Sequence, residues 1–480
     1  MRNLVLVLIV LQHLLPAQTL TRGPSVWEHG PSSFLVAFRT SSQVQGQIEW
    51  GPTEALGNIS SGIATQDHAI RITGLLPDHL YWYRVRLLGA PVTPVLRTRT
   101  FASVGSDVSF FVLGDCGSGT ADQFRVASLV HSWDWDLGLL PGDIVYDDGA
   151  SQDFDPHFFV PYGPALCSTP FFPALGNHDV QTQNGQPFLD AFYLPPANSG
   201  SERWYSFDHG RVHFIGLDST NTSSSQTAWL HADLASARAN DAEWIFVSLH
   251  HAPYTSGYHG RSQWVYQNWC PIFEEFEVDV VFTGHDHHYE RTAVMRDYHP
   301  NKRGVVYFVV GTGGGTIYSA TPEPYTAFAQ SKWGALKVDV RGPVFRSVFL
   351  DGSVSTLGQQ LDPYTIVRGP ATAALRATSP SPQPGQSFDG AFDGPTGVFQ
   401  LLFASLHPDY VPVPGLGVVH LGSLDFLAGS LIGSTQSEAF SLVIPNQPAF
   451  AGTSIFFQGF TLHGPSLRLQ LTDLLPARVR

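Results

Sequence analysis

The sequence predicts an α/β core held between two β-rich segments, and three observations carry this. From about residue 103 to 362, short apolar runs alternate with helix-like stretches, the pattern of sheets buried between helices. From about 22 to 102, short alternating strands are separated by turn residues. From about 363 to 480, strand-like runs recur in a Pro/Gly-rich segment that contains no lysine. The 480 residues allow about three domains at roughly 150 residues each. With 43% hydrophobic and 14% charged residues, the chain builds large cores and is not compositionally disordered.

In the first segment, Phe34–Phe38, Gln47–Trp50, His68–Ile72 and Leu80–Arg86 read as strands. In the middle segment the buried runs are Val108–Leu113, Leu137–Leu140, Val212–Leu217, Trp244–Leu249, Val278–Phe282 and Val305–Val310. Helices are expected over Ala121–Trp133, Gln226–Ala239 and Ser262–Phe276. In the last segment, Ala373–Ala377, Val398–Phe403, Ser441–Ile444 and Ser454–Gln458 read as strands of a second β-sandwich. Ser379–Pro384 fits a linker or a loop within that sandwich.

The formal net charge of −14, with no Lys/Arg run, argues against a nucleic-acid partner. Residues 1–21 read as a signal peptide: Arg2, an apolar run from Leu4 to Leu15, then Pro16–Ala17–Gln18–Thr19. A secreted or extracytoplasmic location follows, and no later segment reaches the ~18 apolar residues of a membrane span. Three cysteines make no disulfide framework, and a Cys167–Cys270 bridge is left open. Asn58–Ile59–Ser60 and Asn221–Thr222–Ser223 are glycosylation sequons.

The chemistry lies in five blocks of the middle segment. They are Gly114–Asp115–Cys116–Gly117, Gly142–Asp143–Ile144–Val145–Tyr146, Gly176–Asn177–His178–Asp179, Val247–Ser248–Leu249–His250–His251 and Gly284–His285–Asp286–His287. Most follow an apolar run directly, and strand C-termini are where open sheets gather binding groups. The glycines are expected to let the chain turn sharply. Carboxylate and phenolate oxygens suit a hard trivalent ion, whereas imidazoles and an amide oxygen suit a borderline divalent one. A bridging carboxylate holds two ions about 3.5–4 Å apart, as two-metal hydrolases require. Any one block is also an ordinary turn, but five in this order form one constellation.

The five blocks resemble the metallophosphoesterase superfamily. Tyr146, three residues after Asp143, and the run Gly284–His285–Asp286–His287–His288–Tyr289–Glu290–Arg291 look like purple acid phosphatases of the plant type. The resemblance implies a metallophosphoesterase sandwich core over 103–362. The run from Leu75 to Val85 resembles the corner of a fibronectin type III module, which makes 22–102 a fibronectin-III-like β-sandwich. The resemblance stops near residue 363, so 363–480 is a β-rich domain without an assigned role. Carried over by motif, Asp115, Asp143, Tyr146 and His287 would bind Fe(III). Asp143, Asn177, His250 and His285 would bind a divalent ion, whether iron, zinc or manganese, with Asp143 bridging. His251 reads as a packing neighbour of His250. His178 and His259 match histidines that face the substrate, although Gly260 stands where plant-type enzymes have a second histidine. Asp218, Glu290 and Arg291 read as structural, the last two as an internal ion pair or helix cap.

The implied activity is hydrolysis of phosphate monoesters by a metal-bound hydroxide at a dinuclear Fe(III)–M(II) centre. A phosphodiesterase or nucleotide hydrolase on the same metals is the alternative. A non-catalytic surface module is a third reading, in which the two sandwiches serve surface or matrix attachment.

Overall fold

The computed structural model describes residues 19–196, 199–301 and 303–368, together with backbone strands between Ala374 and Arg478. The leader as far as residue 18 and the Ser379–Pro384 stretch lie outside the described residues. Leu20, inside the segment read as a leader, already pairs with Thr40.

By backbone contacts the chain divides into two units. The first spans Met1–Asp339 and Ser347–Pro363. It opens with a six-stranded network built from Leu20–Trp27, Ser33–Gly51, Asn58–Thr73, Leu80–Leu87 and two short strands. The runs read as two strands, 34–38 and 47–50, are one 19-residue strand. It is carried through its polar middle by bulges between Arg39 and Val44 and between Gln45 and Gln47. Leu80–Leu87 alternates intermediate and buried residues, with Tyr81, Tyr83, Val85 and Leu87 pointing inward. At the corner before it, the Tyr81 hydroxyl accepts a bond from the Leu76 N–H at 3.0 Å. The Tyr83 hydroxyl donates to the Cys167 carbonyl at 2.6 Å, and Trp27 packs on Phe192 with ring centroids 5.5 Å apart. These contacts seat the network on the following α/β layer.

That layer is two sheets packed face to face. Val108–Val112, Leu137–Leu140 and Phe171–Pro173 run parallel in a six-stranded sheet. Val212–Gly216, Trp244–Ser248, Val280–Thr283 and Val306–Val310 run parallel in a seven-stranded one. Their strands are buried on both faces, which explains the continuous apolar runs. Phe110 of the first sheet lies 5.4 to 5.9 Å from Phe214, Phe246 and Phe282 of the second, so an aromatic layer fills the interior. Outside the second sheet, the helix Ser224–Ala239 lays Leu230, Leu234 and Ala237 on Ile245 and Val247. Ser223 caps its N-terminus by accepting from the Gln226 N–H.

The helix expected over Ser262–Phe276 is two, Gln263–Asn268 and Cys270–Glu275, broken at Trp269. Pro271 has no N–H to continue the first. Cys270 is buried in the core cluster, and Cys167 and Cys270 are both free thiols. Among the described residues, no helix is long and apolar enough to cross a membrane.

The second unit comprises Val340–Arg346 and Tyr364–Arg480. Its described strands beyond Ala374 form sheets of three, five and two strands. Strands occupy Ala374–Ala377, Phe399–Ser405, Ser437–Val443 and Ser454–His463, overlapping the four runs picked from the sequence.

Candidate metal centre

Each candidate group arrives from the C-terminal end of a strand. Asp115, Asp143 and Asn177 follow the three parallel strands of the first sheet; His250, and the pair His285 and His287, follow Trp244–Ser248 and Val280–Thr283 of the second. The loops also bond to one another. The Asp115 N–H donates to the Gly142 carbonyl at 3.0 Å, and the Gly284 N–H to the His250 carbonyl at 3.0 Å.

The sharp turns fall on the candidate residues themselves more than on the glycines before them. Asp115, Asp143 and His285 have φ of 56°, 51° and 70°. A non-glycine residue held there costs roughly 1–3 kcal/mol and is typically found at functional sites. Gly176 and Gly284 are needed for room instead. A Cβ on Gly176 would lie 2.1 Å from Asp143 Oδ1, and one on Gly284 would lie 2.4 Å from Asp115 Oδ2.

All seven residues read as ligands converge. The Tyr146 hydroxyl lies 3.1 Å from Asp115 Oδ1, 3.2 Å from Asp143 Oδ2 and 3.0 Å from His287 Nε2. His250 Nε2 lies 3.2 Å from Asp143 Oδ2 and 3.0 Å from Asn177 Oδ1. One donor atom each from Asp143, His250 and His285 fall within 4.8 Å of one another. Asp143 therefore touches both halves of the cluster.

The donor set fits cations. His250 Nδ1 faces the Pro141 carbonyl at 2.9 Å, and His287 Nδ1 faces the Thr316 carbonyl at 2.7 Å. A neutral imidazole that donates from Nδ1 presents a bare lone pair at Nε2, the usual arrangement of a metal-binding histidine. His250 Nε2 points at the Asp143 carboxylate and the Asn177 amide oxygen, and His287 Nε2 at the Asp115 carboxylate and the Tyr146 hydroxyl. Without a cation, His250 must carry a second proton to bond there, whereas His287 Nε2 can accept from the Tyr146 hydroxyl. Accordingly, burial lowers the His250 pKa but the Asp143 carboxylate outweighs it and raises it to about 10. Burial works against Asp143 ionising, but the charges and bonds of His250 and His178 hold its pKa below the usual carboxylate range. Burial, then His250, His251 and His259, push His285 down to about 2, so its imidazole is neutral. Burial and the charges of Asp115 and Asp143 raise the Tyr146 phenol well above its ordinary value. A cation placed among these oxygens reverses that balance.

Around this cluster, His178 donates its N–H to Asp143 Oδ1 at 2.9 Å, and its ring lies 4.5 Å from that of Tyr146. His259 is exposed and stacks on His285 at 4.3 Å. His251 bonds Ser219 Oγ at 2.9 Å through Nδ1 and packs on His285 at 4.6 Å. Asp218 is buried and paired with Arg203 at 2.8 Å. Glu290 and Arg291 are not paired with each other and cap no helix. They lie on the strand Tyr289–Thr292, where Glu290 bonds His288 at 3.0 Å and Arg291 bonds Asp362 at 2.7 Å. A backbone strand sends successive side chains to opposite faces, which keeps these neighbours apart.

Sequence reasoning missed the groups that hold these loops. Asp179, fully buried, accepts from the N–H groups of Ile144 at 2.9 Å, Val145 at 3.1 Å and Gly176 at 2.9 Å, and so locks the Asp143 turn. Burial and the nearby Asp143 charge push its pKa up, to about 8, against those donors. Asp286 accepts the His259 N–H at 2.8 Å and the Thr255 hydroxyl at 2.7 Å, fixing the loop that carries His259. Both were visible only as acidic residues inside ligand motifs.

Residues 108–289 match the family described as calcineurin-like phosphoesterase. Purple acid phosphatase 15 of Arabidopsis thaliana is 30% identical over 305 residues, 55% of this chain and 56% of that protein. The chain thus spans little more than half the length of that relative. An uncharacterised Mycobacterium tuberculosis protein, Rv2577, is 31% identical over 392 residues, covering 61% of this chain and 72% of that protein. Among solved structures, a purple acid phosphatase from yellow lupin seeds superposes with a TM-score of 0.64 at 19% identity, over 73% of this chain and 75% of that one. PhoD superposes with a TM-score of 0.55 at 13% identity, over 72% of this chain and 88% of that one. The fold is shared with both. Residues 108–289 thus form a calcineurin-like phosphoesterase domain, and the chain's relatives include purple acid phosphatases of Arabidopsis thaliana.

Proposed function

We propose that the chain hydrolyses phosphate monoesters, with Fe(III) and one divalent ion, whether iron, zinc or manganese, held in this cluster. The observation that carries the reading is the paired set of imidazoles, His250 and His287, each turned by a backbone carbonyl so that Nε2 meets an aspartate. Asp115, Tyr146 and His287 would hold the first ion and Asn177, His250 and His285 the second, with Asp143 shared between them. When bound, the ions supply Lewis acidity and positive charge for the ester phosphate. His178 and His259 flank the cluster and bind phosphate oxygens, and His259 gives a proton to the departing oxygen. Asp179 and Asp286 keep Asp143 and His259 in place.

The remaining readings extend this one. Residues 1–21 direct export, 22–102 form a fibronectin-III-like module, 103–362 carry the chemistry, and 363–480 form an additional β-rich domain.

The test is phosphate release by the metal-replete chain from a monoester and from the matching diester at acid pH. The monoester is expected to react faster. A faster diester reaction would move the chain to the diesterases, and no release from either would refute the proposal.

A further inference from the structure

A cleft of about 680 Å³ opens beside His259, and its walls come from two loops. One loop carries Tyr258 and Arg261, and the other carries Tyr318, Glu323 and Tyr325. The loops are tied together, since the Thr321 N–H donates to the Ser256 carbonyl at 2.9 Å. Ser256 is itself fixed by Glu290, which accepts from its N–H at 2.7 Å and its hydroxyl at 2.8 Å. The cleft is thus built on a rigid frame.

Two tyrosines of the cleft wall also touch the candidate centre. Tyr318 stacks on His287 at 4.5 Å with an interplanar angle of 7°, and its ring lies 5.5 Å from His259. Tyr258 lies 5.2 Å from His259 and 5.7 Å from Tyr318. On the phosphatase reading, a group that receives a proton from His259 departs beside these tyrosines. Tyr258 is 79% exposed. Its free face is available for stacking. Arg261 and Glu323 bring one charge of each sign, and Arg261 is drawn over the Tyr266 ring at 4.4 Å. This wall does not suit a leaving group that carries several further phosphates. It suits a neutral ring with hydrogen-bonding edges, and the volume accepts one of nucleoside size.

We propose that this cleft is a leaving-group pocket that selects phosphate esters whose leaving group carries a planar aromatic ring, with Tyr258 as the specificity-determining residue. The inference rests on the phosphatase reading above.

The experiment compares kcat/KM for adenosine 5′-monophosphate and ribose 5-phosphate, which present the same ester with and without the ring. It uses the metal-replete full chain and the variants Tyr258→Ala and Tyr258→Phe. The wild type is expected to prefer the nucleotide by about tenfold, the scale of one aromatic stacking contact. In Tyr258→Ala the ratio should fall toward one, and in Tyr258→Phe it should be kept. A ratio near one in the wild type, or a ratio that Tyr258→Ala leaves unchanged, overturns the pocket while the phosphatase reading stands. Adenosine contact, read by saturation-transfer NMR on the same samples, separates the two failures. Contact that depends on Tyr258 without hydrolysis of either ester refutes the phosphatase reading alone. Absence of both contact and hydrolysis refutes both.

Discussion

Raising the pH is expected to loosen the fold at His213, far in sequence from the candidate ligands. His213 lies on the strand Val212–Gly216 and is buried. Its Nδ1 bonds Asp208 Oδ1 at 2.6 Å and its Nε2 bonds Asp233 Oδ2 at 2.8 Å. Two carboxylate partners require both ring nitrogens to donate, so the ring is an imidazolium. Burial lowers its pKa, but the two aspartates prevail and raise it to about 9 from an ordinary 6.5. That difference corresponds to about 3 kcal/mol of stability. Asp208 is 67% exposed, so water screens its share and about 2 kcal/mol is the expected effect. Because the folded pKa is the higher one, the contribution is complete below pH ~6.5 and fades as pH rises through ~9. Urea unfolding of the wild type and of His213→Gln, each at pH 6 and pH 10, isolates the effect. The wild type should lose about 2 kcal/mol more than the variant between the two pH values. Equal losses in the two chains would show that the aspartates do not hold a charged histidine.

Gly176→Ala should displace Asp143, because the added Cβ would stand 2.1 Å from its Oδ1; a loss of about 1–3 kcal/mol in urea unfolding, with weakened metal retention, is expected. In Tyr146→Phe the visible band of the oxidised protein, a phenolate-to-iron transition on the proposed reading, should vanish while phosphate release persists, as absorption spectra and rates on one sample would show. His259→Ala should lower turnover on alkyl phosphates by about 10²–10⁴-fold and on nitrophenyl phosphate much less, since an activated phenolate leaves without a proton. Its metal content should not change, and equal losses on both esters would make His259 a phosphate binder only.

The parts of the molecule that were legible from sequence are those with strong local signals. Val108–Val112, Val212–Gly216 and Trp244–Ser248 are buried on both faces, so they read as unbroken apolar runs. The candidate-ligand blocks stood out because turns at strand ends concentrate Gly, Asp and His in short motifs. Phe171–Pro173 has three residues and Tyr289–Thr292 has four, with polar Glu290 and Arg291 inside it, so neither gave a pattern. Asp179 and Asp286 lie in quoted motifs, yet their role depends on backbone N–H groups 27 to 35 residues away. Only the fold brings those donors to them. The aromatic cleft is similar, because Tyr258 and Tyr318 are 60 positions apart and meet only when their loops are tied.

On the proposed reading, two cations are held jointly by Asp143. Metal content of the purified wild type and of Asp143→Ala, measured by mass spectrometry on protein of known concentration, tests this directly. Asp143 lies 3.2 Å from both Tyr146 Oη and His250 Nε2, so its removal opens both halves of the cluster. The wild type is expected to carry two metal ions per chain, one of them iron, and Asp143→Ala to lose metal from both halves together with phosphate release. Two ions and full activity in Asp143→Ala, or an active wild type that carries no metal, would contradict it.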